Sequence, residues 1–163
     1  MSSWLVRIDV SYVYDDAKLR NFYEILLNLL VFLLIFAFVM TNDTHRIILC
    51  LASNTCQQHY LERARQALAT LLPGLSYTTE HWTQPVGAVR DDLYLNQLAA
   101  GETHLPLNDL QPLLKQIEQQ LDREHDGSGI VTIDIDLLQY DETRYHLRDW
   151  QRDYVRLLLP ELP

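Results

Sequence analysis

Two aspartates, Asp134 and Asp136, interrupt the run GIVTIDIDLLQYD over residues 129–141. Side chains on a strand alternate between faces, so Ile133, Ile135 and Leu137 share one face while Thr132, Asp134 and Asp136 share the other. Positions i and i+2 stand roughly 6.5–7 Å apart. That is too far for two carboxylates to share a proton, and close enough for both to reach a cation lying between or above them. Hard oxygen donors of this kind suit Mg²⁺, which is held by one or two carboxylates together with substrate phosphates. The same pattern also describes a half-exposed strand with solvated acids. A second candidate set lies in the tail, where Arg148, Arg152 and Arg156 recur at i, i+4 and i+8, with Trp150 and Tyr154 also four apart. On a helix these form one cationic edge able to meet a polyphosphate. They could equally pair with Asp149, Asp153 and Glu161 on a solvated surface.

The chain that must position these residues has 163 residues, 48% hydrophobic and 21% charged. That is enough for one globular domain with its own core. With 13 Lys+Arg against 22 Asp+Glu the net charge is −9, which argues against nucleic acid as a partner. Two cysteines, Cys50 and Cys56, supply neither a zinc set nor a disulfide framework, and a reducing cytoplasm fits best. The histidines at 45, 59, 81, 104, 125 and 146 include no i, i+4 pair of the metalloprotease kind.

Ile25 to Met40 is an apolar run interrupted only by Asn28. A helix of that length covers about 24 Å against a hydrocarbon core of roughly 30 Å. A hydrophobic helix over 25–41 is therefore a marginal span, able to anchor the protein to the inner face of a membrane. A cleaved signal peptide fits poorly, because Asp9, Asp15, Asp16 and Glu24 precede the run and no small-residue cleavage site follows it. Lys18 and Arg20 on one side face only Arg46 on the other, which hardly encodes an orientation. The two methionines are Met1 and Met40, and the soluble pattern begins after the second. The segment thus reads equally as an upstream extension before a working start at Met40. The expected division is 1–44, an extension, and 45–163, the domain that carries the chemistry.

Arg46 to Leu51 predicts a first strand, and Cys56 to Leu72 a helix with Leu61, Ala64 and Leu68 inward, Asn54 or Thr55 as cap and Pro73-Gly74 as stop. Strands are expected over Leu75–Thr83 and Leu93–Ala99, on either side of the loop QPVGAVRD. A second helix is expected over Asp109–Glu124, capped by Asn108 with Pro112 in its first turn, before the Asp134 strand. The order βαββαβ is that of an α+β, ferredoxin-like antiparallel sheet with both helices on one face and the other face open.

Over residues 46–162 the sequence resembles the 6-hydroxymethyl-7,8-dihydropterin pyrophosphokinases of folate biosynthesis. The blocks that carry the likeness are Ala52-Ser53-Asn54, the loop Thr83-Gln84-Pro85-Val86-Gly87, Tyr94-Leu95-Asn96, the helix Ile117-Glu118 through Leu121-Asp122-Arg123, the Asp134-Ile135-Asp136 strand, His146, and Arg152-Asp153-Tyr154. The resemblance implies a Mg²⁺-dependent transfer of pyrophosphate from ATP to the pterin hydroxymethyl group, giving AMP. Asp134 and Asp136 would hold Mg²⁺, and Arg123, Arg152, His146 and Arg148 would meet phosphates, with Glu118 orienting that network. Gln84, Pro85, Val86 and Asn96 would contact the pterin edge, and Tyr154 with Trp82 or Tyr94 its ring face. The chain departs from the family pattern where Val131 stands in place of an arginine, where Gly127 and Ser128 replace aromatic and basic loop residues, and where Ala52 replaces a glycine. His125 is the one cation left in that loop. Losing one charge-assisted contact to a transferring phosphate costs about 2–4 kcal/mol of barrier. Two alternatives therefore stand beside the enzyme: a weakened paralogue that binds pterin or nucleotide, and a ferredoxin-like interaction module.

Overall fold

The structure, a computed structural model, describes residues 23–31, 43–87 and 90–163. The chain divides into two compact units, Met1–Asn42 and Asp43–Pro163. In the first, residues 23–31 form a helix, α1, whose side chains are exposed. The remainder of the expected hydrophobic helix, 32–41, lies outside the described residues. No described helix is long and apolar enough to cross a membrane, so the expected anchor finds no support there.

The second unit is α+β. Its strands are β1 (His45–Ser53), β2 (Ser76–Tyr77), β3 (His81–Thr83), β4 (Tyr94–Thr103), β5 (Asp134–Tyr140) and β6 (Thr143–Arg144); its helices are α2 (Gln57–Leu71), α3 (Leu107–Gln120) and α4 (Asp153–Leu158). The strands form one antiparallel sheet in the order β2-β4-β1-β5-β6, with β3 also paired to β4. Period-two alternation sends Ile47, Leu49 and Leu51 of β1, Leu95 and Ala99 of β4, and Ile135 and Leu137 of β5 under α2 and α3, joined by Ile133 just ahead of β5. The helices answer with Leu61, Ala64 and Leu68 on α2 and Leu110, Leu114 and Ile117 on α3, at the spacing of one helical face. Burying each large aliphatic side chain in this core contributes roughly 1.5–3 kcal/mol.

Four expectations are corrected. The Leu75–Thr83 strand is broken into β2 and β3 around Thr78, which is buried and holds its place by donating its N–H to the Leu98 carbonyl at 3.0 Å. Neither Asn54 nor Thr55 caps α2; its N-cap is Cys56, in left-handed backbone at φ 42° and without a side-chain cap. Asn54 is engaged elsewhere, accepting from Val131 N–H at 2.7 Å and donating to the Gly129 carbonyl at 2.8 Å. α3 begins two residues earlier than expected behind Pro106, so Asn108 lies inside it and Pro112 falls in the second turn. It ends at Gln120, because left-handed Asp122 lets Arg123 N–H reach the Glu118 carbonyl and Asp122 N–H the Gln119 carbonyl, which closes the helix.

The fourth correction concerns the far side of the sheet, which is not fully open. The expected tail helix is split into a 3₁₀ turn (Asp149–Gln151), extended Arg152 with ψ 139°, α4, and a second 3₁₀ turn (Leu159–Glu161). Arg148, Arg152 and Arg156 therefore do not share one helical edge. The split lets Trp150, Val155 and Leu158 pack on Cys50, Leu98 and Leu138, a second and smaller core. Glu161 fastens this segment to the β2–β3 connection by accepting from Thr79 N–H at 2.6 Å and the Thr79 hydroxyl at 2.9 Å. Leu138 follows Asp136 onto the face of the smaller core, and a bulge in β5 opposite Ile48/Leu49 then flips the alternation so that Tyr140 returns to the larger one.

Candidate active site

The uncovered end of that second face carries a cleft of about 230 Å³. Strand register builds its floor. Ala52 pairs with Asn96 on one side and Asp134 on the other, and in the next row Cys50 pairs with Leu98 and Asp136. Asn96, Ala52 and Asp134 thus form one cross-strand line, about 10 Å long at the usual strand spacing. Ala52 has the smallest side chain of that line and lies in extended strand, so it needs no left-handed backbone. One wall comes from Thr83, Gln84, Pro85, Val86 and Tyr94; the other comes from Asp149, Arg152 and Tyr154 of the tail segment.

Each side chain is held by partners the fold supplies. Asn96 is 3% exposed and donates to the Thr83 hydroxyl at 2.9 Å and the His81 carbonyl at 3.2 Å, which ties β4 to the Thr83–Val86 loop. Tyr154 packs its hydroxyl 3.6 Å from Cys50 Sγ. Burial pushes the Cys50 thiol up to about 12 and raises the Tyr154 phenol as well, so both stay protonated at neutral pH. Arg152 Nε donates to Asp149 Oδ1 at 2.6 Å. Asn54 and Ser53 clamp the 129–131 loop that feeds β5, the Ser53 hydroxyl donating to the Val131 carbonyl at 3.3 Å.

Asp134 and Asp136 stand on the same face, as the alternation requires, and both line the cleft. Their Oδ1 atoms converge on one cation, the Lys115 ammonium of α3, at 3.4 and 3.7 Å. Lys115 Nζ is held 2.7 Å from Glu118 Oε1, and Glu118 also accepts from Ile135 N–H at 2.6 Å. Burial raises the Asp136 pKa and the Asp134 charge adds to it, with His146 and Lys115 opposing. Burial likewise raises Glu118, opposed by the Lys115 and Ile135 hydrogen bonds. Burial works against the charge on Lys115, but the Glu118 hydrogen bond and the Asp134 field carry its pKa upward. The two carboxylates face one positive group, and an all-oxygen pair of this kind suits Mg²⁺. Asp136, His146 and Asp149 form a further set whose ligand atoms lie within 4.8 Å of one another.

Of the expected site residues, the cleft unites Gln84, Pro85, Val86, Tyr94, Asn96, Asp134, Asp136, Arg152 and Tyr154. His146 lines the adjoining groove with Lys115 and Asp136; its left-handed backbone, φ 49°, brings Nε2 to 3.7 Å from Asp136 Oδ1. Glu118 reaches the same cluster through Lys115. Arg123 does not face the cleft: its guanidinium donates to the carbonyls of Glu124 and Ile130 and pins that loop. Arg148 lies exposed on the turn before Asp149 and does not line the cleft. Trp82 is 48% exposed and pairs with Leu95, whose side chain belongs to the helix-covered face, so alternation turns it away from the cleft. The sequence reading missed Lys115, Asp149 and Cys50. Lys115 had one visible signal, its i, i+3 spacing to Glu118 on a helix.

The sequence profile of the 7,8-dihydro-6-hydroxymethylpterin-pyrophosphokinase family matches residues 48–163. A folate synthesis bifunctional protein of Arabidopsis thaliana is 27% identical over 141 residues, which cover 78% of this chain and 29% of that relative. The chain therefore spans less than a third of the relative's length.

Proposed function

Because the chain belongs to the 7,8-dihydro-6-hydroxymethylpterin-pyrophosphokinase family, we propose that it transfers the pyrophosphoryl group of ATP to 6-hydroxymethyl-7,8-dihydropterin, a step of folate biosynthesis, on a ferredoxin-like domain. The observation that carries this reading is the row Asn96–Ala52–Asp134, which sets an amide and an acid at opposite ends of one floor. In the reaction the hydroxymethyl oxygen bonds to the β-phosphorus, the bond from that phosphorus to the α-phosphate oxygen breaks, AMP leaves, and the hydroxyl proton passes to water.

The pterin lies at the Asn96 end, its ring against Tyr154 and Tyr94 and its polar edge against the amide and the Gln84–Val86 backbone. Tyr154 stays a neutral phenol there, so the ring adds no charge of its own to the wall. The triphosphate lies at the acidic end, where Asp134 and Asp136 would hold Mg²⁺, and His146 and Arg152 present N–H donors to phosphate oxygens. Bound there, Mg²⁺ would offset charge developing on the transferring group. The short line between Asn96 and Asp134 holds the two substrates in reach of each other, which is the larger part of catalysis in such transfers.

The test is incubation with Mg-ATP and hydroxymethyldihydropterin, followed by measurement of AMP and the pterin diphosphate. Formation of both in equal amounts is the expected outcome. Val131 and the loop-bound Arg123 favour one second reading, a binding protein of low turnover. Pterin and nucleotide binding without AMP would select it, and no binding of either would end both readings.

A further inference from the structure

Among the described residues, the basic side chains within 4 Å of Asp134 or Asp136 are Lys115 and His146. Lys115 is the more central. Its ammonium sits 2.7 Å from Glu118 Oε1, and the contacts of 3.4 and 3.7 Å to the aspartates are longer than direct charge-assisted hydrogen bonds. Glu118 therefore fixes the ammonium, and the aspartates feel mainly its field. Glu118 is itself tied down: its side chain is 2% exposed and accepts from the Ile135 amide. The lysine side chain is 51% exposed, with a flexible stem and room in the adjoining groove that it lines with Asn108 and Gln111. The fold thus seats a half-exposed positive charge on a buried carboxylate, where a divalent ion would approach the pair.

Resting on the reading of Asp134 and Asp136 as divalent-ion ligands, we propose that Lys115 is a resident counter-cation that couples metal binding to nucleotide binding. With no nucleotide bound, its charge opposes a divalent ion at the two carboxylates. A triphosphate arriving with the ion draws the ammonium off the pair and onto phosphate oxygens, so that the same charge that hindered the metal alone then holds the metal–nucleotide complex.

The experiment is Mn²⁺ titration of the full chain, followed by electron paramagnetic resonance of free Mn²⁺, with and without a non-hydrolysable methylene-bridged ATP analogue. The wild type is expected to bind Mn²⁺ at least tenfold more tightly when the analogue is present. Lys115→Gln should bind Mn²⁺ alone at least threefold more tightly than wild type, and its gain from the analogue should fall below threefold. Lys115→Arg, which keeps the charge, should stay close to wild type. A change of less than threefold in the Mn²⁺-only affinity of Lys115→Gln, or an arginine variant that behaves like the glutamine one, overturns the proposal. Wild-type protein that binds no Mn²⁺ even with the analogue present overturns the metal–nucleotide reading itself, and the coupling with it.

Discussion

The two faces of the sheet are made by the same three strands and do opposite work. On the helix-covered face Leu49, Leu51, Leu95 and Ile135 are sealed at 0–1% exposure. One residue along the chain in each case, Cys50, Ala52, Asn96 and Asp136 line the cleft on the other face. Stability and chemistry are thus interleaved at single-residue spacing, and the parity of a position decides which of them a substitution damages.

The largest effects should separate along that parity. Asp136→Asn is expected to lower AMP formation about a hundredfold or more while leaving unfolding free energy unchanged or higher, because burial and Asp134 already disfavour its charge. Leu49→Ala should do the reverse, costing about 2–5 kcal/mol of stability with turnover of the folded fraction nearly intact. Rate assays and denaturant unfolding on both variants measure this, and equal stability losses would break the comparison. Ala52→Val, which adds bulk between Asn96 and Asp134, should weaken pterin binding about fivefold or more, about 1–3 kcal/mol, with a raised KM and little change in unfolding. Glu118 lies where the faces meet at the β5 edge. Glu118→Ala leaves the Ile135 amide unpaired and should cost about 1–3 kcal/mol, whereas Glu118→Gln keeps an acceptor and should cost less.

The smallest effect lies at the far end of the sheet, where Asp141 accepts from His45 at 2.8 Å and from the Arg46 amide at 3.0 Å. The His45 hydrogen bond holds the Asp141 pKa below its ordinary value. A carboxylate lowered in the folded state contributes stability that is present above its unfolded pKa and lost as pH falls through the folded one. Asp141→Asn should therefore flatten the acid limb of a stability–pH curve without touching activity, as unfolding titrations between pH 6 and pH 2 would show.

The alternation that set Asp134 and Asp136 on one face, and the stripes of α2 and α3, could be read from the sequence because they depend only on local period. What escaped depends on contacts between distant residues. Asn54 reads as a helix cap until the 129–131 loop, some 75 residues away, takes its amide. The tail reads as one helix until Trp150 and Val155 find the apolar patch of Cys50 and Leu98 and the chain breaks at Arg152 to reach it. Arg123 carries a family motif, yet here its guanidinium is taken up by the carbonyls of Glu124 and Ile130. Lys115 gains its part only when β5 brings two acids within 4 Å of it.

The hydrogen bond from Ile135 N–H to Glu118 has a consequence for behaviour at high concentration. Over residues 134–136, β5 pairs with β1 on one side, and β6 meets it only at Gln139 and Tyr140. A strand margin with free amide donors invites a second molecule to zip on and grow. Here a buried carboxylate takes that donor from within the same molecule, so crowding has one less place to start an aggregate.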